Sequence, residues 1–197
     1  MTGRQATVER SSRETTIHLE LDLDGSGSAE VRTGLGAYDH LLTSLAHHAL
    51  FDLRIEARGD LETDDHHTVE DVALALGEAL DQALGQRAGI RRFGQAEVPM
   101  DEALARCAVD LSGRPYTVLD LRFPGQRIGG LSTQNVPHAL EALARTAGLT
   151  LHLRARGAND HHVAEAAFKA LAVALRQAVE LDPRRAGAVP STKGRLA

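Results

Sequence analysis

Two groups of side chains recur at matching places in this sequence: His66, His67 and Glu70 form a His-His-x-x-Glu pattern, and His161, His162 and Glu165 repeat it. His40 and His138 add one further imidazole to each half. On a helix, residues three and four apart share a face, so Glu70 can meet a site served by either histidine beside it. Adjacent histidines diverge by about 100° around the helix axis. They are placed to serve two ions, not to chelate one. The eight groups together can give each of two ions three imidazoles and one carboxylate. Nitrogen and oxygen donors admit Mn, Fe, Zn, Co or Ni without choosing among them. The HExxH spacing of zinc proteases is absent, so that hydrolytic helix is not the frame. A single histidine at a helix start is usually a cap or a surface residue. The same trio placed in both halves, while the residues between have changed, favours metal.

The elements that carry these residues are duplicated. His40 to Gly59 aligns with His138 to Gly157 without a gap, with nine identities in 20 positions, and His66 to Ala83 then aligns with His161 to Ala178. Apolar residues at three-to-four spacing predict helices from about Tyr38 to Ala49 and from about Val136 to Ala147. Alternation predicts strands over Phe51 to Ala57 and Leu149 to Ala155. Long Ala- and Leu-rich helices are expected from His66 to Leu84 and from His161 to Leu181. Asp64 and Asp65, like Asn159 and Asp160, read as cap residues at the starts of those helices. Two strands are expected ahead of each first helix: Glu14 to Leu23 and Ala29 to Thr33, then Ala105 to Leu111 and Tyr116 to Phe123. The turns DGSGS and SGRP between them read as hairpin-like. Residues 85–104 read as a joining segment. The expected class is α+β, two small sheets with a shared helical layer. The expected organisation is one catalytic domain over 1–197, with repeats at about 10–90 and 100–182 and a tail over 183–197.

Composition narrows the partners. The chain has 197 residues, 43% of them apolar, a formal charge of -5 and 3% aromatics. That balance disfavours broad attraction to nucleic acid or anionic membranes, and base stacking as well. Cys107 is the one cysteine, which rules out an internal disulfide framework and a multi-thiolate zinc site. No apolar run reaches the roughly 20 residues of a membrane span. A cytoplasmic protein is expected.

Successive segments resemble the imidazoleglycerol-phosphate dehydratase family: DHLLTSLAHHALFDL, GDLETDDHHTVEDVALALGEAL, GIRRFG, MDEALARCAVDLSGRPY, NDHHVAEAAFKALA and DPRR…PSTKG, in order from about Arg13 to Gly194. The resemblance implies dehydration of imidazole glycerol phosphate to imidazole acetol phosphate in histidine biosynthesis. It also implies a duplicated fold like the second domain of ribosomal protein S5, two Mn²⁺ per subunit, and a 24-subunit homo-oligomer built from trimers. The family's metal ligands fall on His40, His66, His67, Glu70, His138, His161, His162 and Glu165. Its substrate contacts fall on Glu14, His48, Arg92, Arg114, Ser191 and Lys193, together with ligands His40, His66, His67, Glu70, His161, His162 and Glu165. Glu14 is the implied proton-transfer group, with Glu165 or a metal-bound water as the competing shuttle, and the tail is expected to close over the phosphate. Three positions depart from the family pattern: Ser44 for a usual Gln, Ala49 for a Gly, and Pro137 for a frequent Glu. Two ions could each take one ring nitrogen of the substrate and acidify its N–H, which favours loss of hydroxide from the carbon beside the ring. Two other classes compete, a ferritin-type metal store and a dinuclear metal hydrolase. The His-rich ligands, the strands and the duplication weigh against the first. The second would release phosphate, whereas the dehydratase keeps it in the product.

Overall fold

The structure is a computed structural model that describes residues 3–196, so residues 1–2 and 197 at the ends of the expected domain lie outside it. The first repeat contains β1 (Gln5–Ser11), β2 (Thr15–Asp22), β3 (Ala29–Arg32), α1 (Gly36–Ala49), β4 (Asp52–Gly59) and α2 (His66–Leu84). The second contains β5 (Phe93–Met100), β6 (Ala103–Asp110), β7 (Tyr116–Leu121), a small hairpin of β8 (Arg127–Ile128) and β9 (Leu131–Ser132), α3 (Asn135–Thr146), β10 (Thr150–Arg156) and α4 (Asp160–Val179). A short 3-10 turn, Pro183–Arg185, begins the tail.

Each repeat folds its four main strands into one mixed sheet, in the orders β1-β2-β4-β3 and β5-β6-β10-β7. The inward residues Ile17, Leu19, Leu21, Leu53 and Ile55 are buried, and Leu151 and Leu153 are their counterparts. Each such aliphatic side chain contributes about 1.5–3 kcal/mol when fully buried. Helices α2 and α1 cover the first sheet, and α4 and α3 cover the second. The repeats meet helix to helix, α1 against α4 and α2 against α3, so the helices form the interior between two outer sheets.

Two expectations need correction. The DGSGS and SGRP turns do not close hairpins, because β2 and β3 are separated by β4, and β6 and β7 by β10. Strand β3 reaches β4 through helix α1, which makes the two parallel neighbours, and β10 is likewise parallel to β7. The DGSGS loop therefore steps across the start of β4. Asp52 at that start accepts backbone N–H groups from Ser26 (2.8 Å), Gly27 (3.1 Å) and Ser28 (2.9 Å) and holds the loop there. Those donors lower the Asp52 pKa. The second correction concerns residues 85–104, which hold strand β5, while β1 precedes the first expected strand. Both are edge strands. Their outer rows need no hydrophobic partner, and an edge tolerates Pro99 inside β5.

Candidate metal centres

The helix pairing decides which residues meet. Because α1 of the first repeat lies on α4 of the second, His40 faces His161 and Glu165. Because α3 lies on α2, His138 faces His66 and Glu70. In the first cluster, one carboxylate oxygen, Oε2 of Glu165, lies 3.0 Å from His40 Nε2 and 3.1 Å from His161 Nε2. The two rings stack with centroids 5.3 Å apart. In the second, His66 Nε2 is 3.8 Å from Glu70 Oε2 and His138 Nε2 is 3.5 Å from Glu70 Oε1, with the rings stacked at 4.7 Å. The ligand atoms in each trio lie within 4.8 Å of one another.

The donor set fits a metal ion. His138 Nε2 is buried and has no hydrogen-bond partner among the described residues, yet it lies 3.5 Å from a Glu70 oxygen, and its ring stacks on that of His66. A buried polar atom left in that state is costly unless something else satisfies it. Burial by itself would raise the Glu165 carboxyl, but hydrogen bonds from Lys169 and His40 outweigh it and bring it down to about 2. The carboxylate is therefore an anion ready for a cation.

The neighbouring histidines do diverge. His67 and His162 stand outside both trios, at 78° and 75° to the rings beside them. His67 Nδ1 lies 3.0 Å from Asp60 and its Nε2 lies 3.8 Å from Glu14. His162 Nδ1 lies 2.7 Å from Glu102, with its Nε2 3.8 Å from Asp101. These carboxylates raise both imidazoles, and the His162 bond is the largest cause of bringing Glu102 down to about 2. A carboxylate on Nδ1 fixes the ring and leaves Nε2 as the outward donor, the usual outer support of a metal-binding histidine.

The two helix starts differ in detail. Asn159 caps α4 by accepting the N–H of His161 (2.9 Å) and of His162 (3.4 Å). At α2 the accepting side chain is Asp64, bonded to the His66 N–H at 2.8 Å. Asp65 is turned inward instead and takes the N–H (2.6 Å) and hydroxyl (2.7 Å) of Ser132. Asp160, its equivalent, accepts the Gly125 N–H at 2.8 Å. Both aspartates thus fasten the starts of the ligand helices to the segment carrying β8 and β9. Asp65→Ala is expected to cost about 1–3 kcal/mol in urea unfolding, because it strands two buried donors. It should also weaken metal binding at His66 and His138 more than at His161. Equal weakening at both would show that Asp65 does not set that spacing.

The positions expected to contact substrate are not gathered at one point. Glu14 is in the β1–β2 turn, exposed and beside His67. His48 ends α1, and its pKa is lowered by burial and by Lys169 and His47. Arg114 sits in the β6–β7 connection, and Ser191 and Lys193 sit in the tail. The residues flanking them, Gly113, Pro115 and Gly194, line one cavity of about 420 Å³ together with Arg145. Arg92 is elsewhere engaged. At φ 74° it gives Nε and Nη2 to Asp110 (2.6 and 2.9 Å) and Nη1 to the carbonyl of Pro190 (2.8 Å), so it anchors the tail just ahead of Ser191. Of the departures, Pro137 lies in the first turn of α3, where a missing N–H costs no helical bond. The Ser44 hydroxyl is buried one turn beyond His40 with no hydrogen-bond partner among the described residues.

Sequence reading missed Asp60, Glu102, Arg145 and Lys169, and took Asp65 for a cap where it bonds Ser132 instead. Lys169 was within reach, since it stands four residues after Glu165, the spacing of a helical ion pair, and lies 2.7 Å from it. Glu102 is 60 residues from His162 and carried no local signal.

Residues 33–175 match the family model described as Imidazoleglycerol-phosphate dehydratase. The chain belongs to that family. It is 56% identical over 196 residues, all of both chains, to the imidazoleglycerol-phosphate dehydratase of Methanothermobacter thermautotrophicus. It is 55% identical to that of Paracoccus denitrificans, over 98% of this chain and the whole of the relative. Among solved structures, the Staphylococcus aureus dehydratase superposes with a TM-score of 0.82 at 33% identity, covering 90% of this chain and 99% of that one. The Pyrococcus furiosus enzyme, solved in complex with (S)-C348, gives 0.81 at 36%, covering 96% and 100%. This family membership accounts for the duplicated α+β fold and for a metal-dependent hydro-lyase acting in histidine biosynthesis. Among the described residues no helix is long and apolar enough to cross a membrane.

Proposed function

We propose that the two clusters each hold one Mn²⁺, and that the chain dehydrates imidazole glycerol phosphate to imidazole acetol phosphate between them. The observation that carries this reading is the pair of mirrored trios, each with two imidazoles and one carboxylate drawn from both repeats. Ions held there would supply Lewis acidity toward the substrate's ring and hydroxyl. The chain's own residues do the rest. His40, His161 and Glu165 would hold one ion, and His66, Glu70 and His138 the other. His67 and His162 turn their Nε2 atoms away from both trios, which suits them to complete an ion held by a neighbouring copy. That arrangement supports a closed homo-oligomer, the 24-subunit particle built from trimers.

Glu14, next to His67, moves the proton from the carbon beside the one that loses hydroxide. Arg114, Lys193 and Ser191 take the phosphate, the guanidinium by paired N–H groups and the ammonium as a point charge. Arg92 contributes by holding the tail in place. A free, buried Cys107 suits the reducing cytoplasm.

Metal analysis combined with a turnover assay on imidazole glycerol phosphate tests this directly. Two Mn²⁺ per chain and full activity are expected, with chelation abolishing activity and breaking the particle into smaller species that Mn²⁺ reassembles. Undiminished turnover after verified metal removal would overturn the reading, and light scattering with unchanged mass would overturn its account of assembly. Glu14→Gln is expected to keep metal and particle size while losing about 10²- to 10⁴-fold in kcat, the weight of a positioned proton-transfer group. A near-normal kcat would move that role to Glu165.

A further inference from the structure

The two trios are not equivalent, and the difference lies in which carboxylate oxygen a neighbouring cation occupies. In the Glu165 cluster the labour is divided. Oε2 faces both histidines, at 3.0 and 3.1 Å, while Oε1 is held at 2.7 Å by Lys169, a half-buried ammonium one helical turn along α4. The cation therefore orients the carboxylate from behind. Glu165 itself is only 7% exposed, so its rotamer has little freedom.

The Glu70 cluster has no such cation on α2, where Leu74 stands four residues after Glu70. Its cation comes instead from α3. Nη2 of Arg145 lies 3.2 Å from Glu70 Oε1, and this is the same oxygen that faces His138 Nε2 at 3.5 Å. The other oxygen faces His66 at 3.8 Å. Glu70 thus offers its two oxygens to two histidines, and one of them is shared with a guanidinium. The Arg145 side chain is 60% exposed and lies along the cavity that also holds Gly113 and Gly194. It has room to swing away.

We propose that Arg145 competes with metal for Glu70, so that the Glu165 cluster loads first and the Glu70 cluster second. The proposal rests on the reading that both clusters bind ions, and deepens it by ordering them. An ion entering among His66, Glu70 and His138 takes the oxygen that Arg145 holds, whereas an ion entering among His40, His161 and Glu165 meets an oxygen that faces only the two imidazoles and is held by no competing cation. Preorganised ligands bind more tightly because less ordering remains to be done. Arg145 is a positioning residue here; it acts through Glu70.

The test is an Mn²⁺ titration of the full chain, with free Mn²⁺ read from its electron paramagnetic resonance signal. The wild-type protein is expected to bind in two steps separated by about tenfold or more in Kd, a difference of roughly one factor of ten per 1.4 kcal/mol. His161→Ala should remove the tight step and His66→Ala the weak one. Arg145→Met should tighten the weak step by about threefold, the weight of an exposed ion pair, and leave the tight step unmoved. A general loss of positive charge would instead shift both steps together, which would overturn the proposal. So would two equal steps in the wild type, or a weak step unmoved in both Arg145→Met and Arg145→Gln. If neither histidine variant reduced the bound Mn²⁺, the clusters would not be the metal sites, and the reading beneath the proposal would fall with it.

Discussion

His161→Ala is expected to abolish dehydration while leaving a folded protein that has lost metal from one cluster only. His161 is 3.1 Å from the Glu165 oxygen that His40 also faces, so its removal leaves one imidazole and one carboxylate in that trio. Loss of an outer partner of a metal ligand alone costs about 10- to 100-fold in affinity. Loss of the ligand itself exceeds that, so the cluster is expected to be empty at micromolar Mn²⁺. The ring sits 43% exposed at the first turn of α4, and Asn159 caps the backbone there, so the helix survives the change. Metal content by mass spectrometry, circular dichroism and a turnover assay check the three parts together. Retained activity with unchanged metal would remove His161 from the site.

Gly94→Val is expected to prevent the second repeat from assembling. A Cβ at Gly94 would lie 1.9 Å from the carbonyl oxygen of Ala174 and 2.8 Å from its carbon, both backbone atoms of α4 that cannot turn aside. Strand β5 can approach α4 that closely only without a side chain. Overpacking of a core costs about 1–3 kcal/mol where side chains can adjust. A contact with rigid backbone costs more, and against a total of roughly 5–15 kcal/mol it consumes much of the stability. Urea unfolding and soluble yield measure the effect. Gly36→Ala is the matched control: an added Cβ there meets nothing within 4 Å, and little change is expected. Near-wild-type stability for Gly94→Val would mean that β5 does not sit against α4.

The contrast between Gly94 and the histidines shows which parts of this molecule were legible in its sequence. The two His-His-x-x-Glu motifs were readable as candidate ligands because metal chemistry restricts residue type and a helix restricts spacing, and because the chain states the pattern twice. Helix α2 begins at His66 and ends at Leu84 as its Ala- and Leu-rich periodicity predicts. What the sequence hid depends on contacts between distant segments. Gly94 reads as an interruption, although it is a packing requirement set by Ala174. The β5 strand around it was obscured by that same glycine and by Pro99. The order of strands was hidden as well, because DGSGS has the composition of a hairpin turn and only the α1 crossover makes it span β4. The exchange of His40 and His138 between repeats follows from how α1 meets α4 and α3 meets α2, and no local pattern encodes it.

That exchange bears on how such a chain could arise. A single repeat, from the start of β1 to the end of α2 or of β5 to the end of α4, would carry one first helix with its histidine and one long helix with its His-His-x-x-Glu, but the two do not meet within one repeat. Two separate copies joined about a twofold axis would bring them together and make two identical clusters at once. Fusion into one chain preserves the pairing and removes the identity. Each half then drifts independently, and the unlike cations beside Glu70 and Glu165, Arg145 from α3 and Lys169 from α4, record that freedom. The pairing that a twofold axis would require is thus kept, while the two clusters are free to differ.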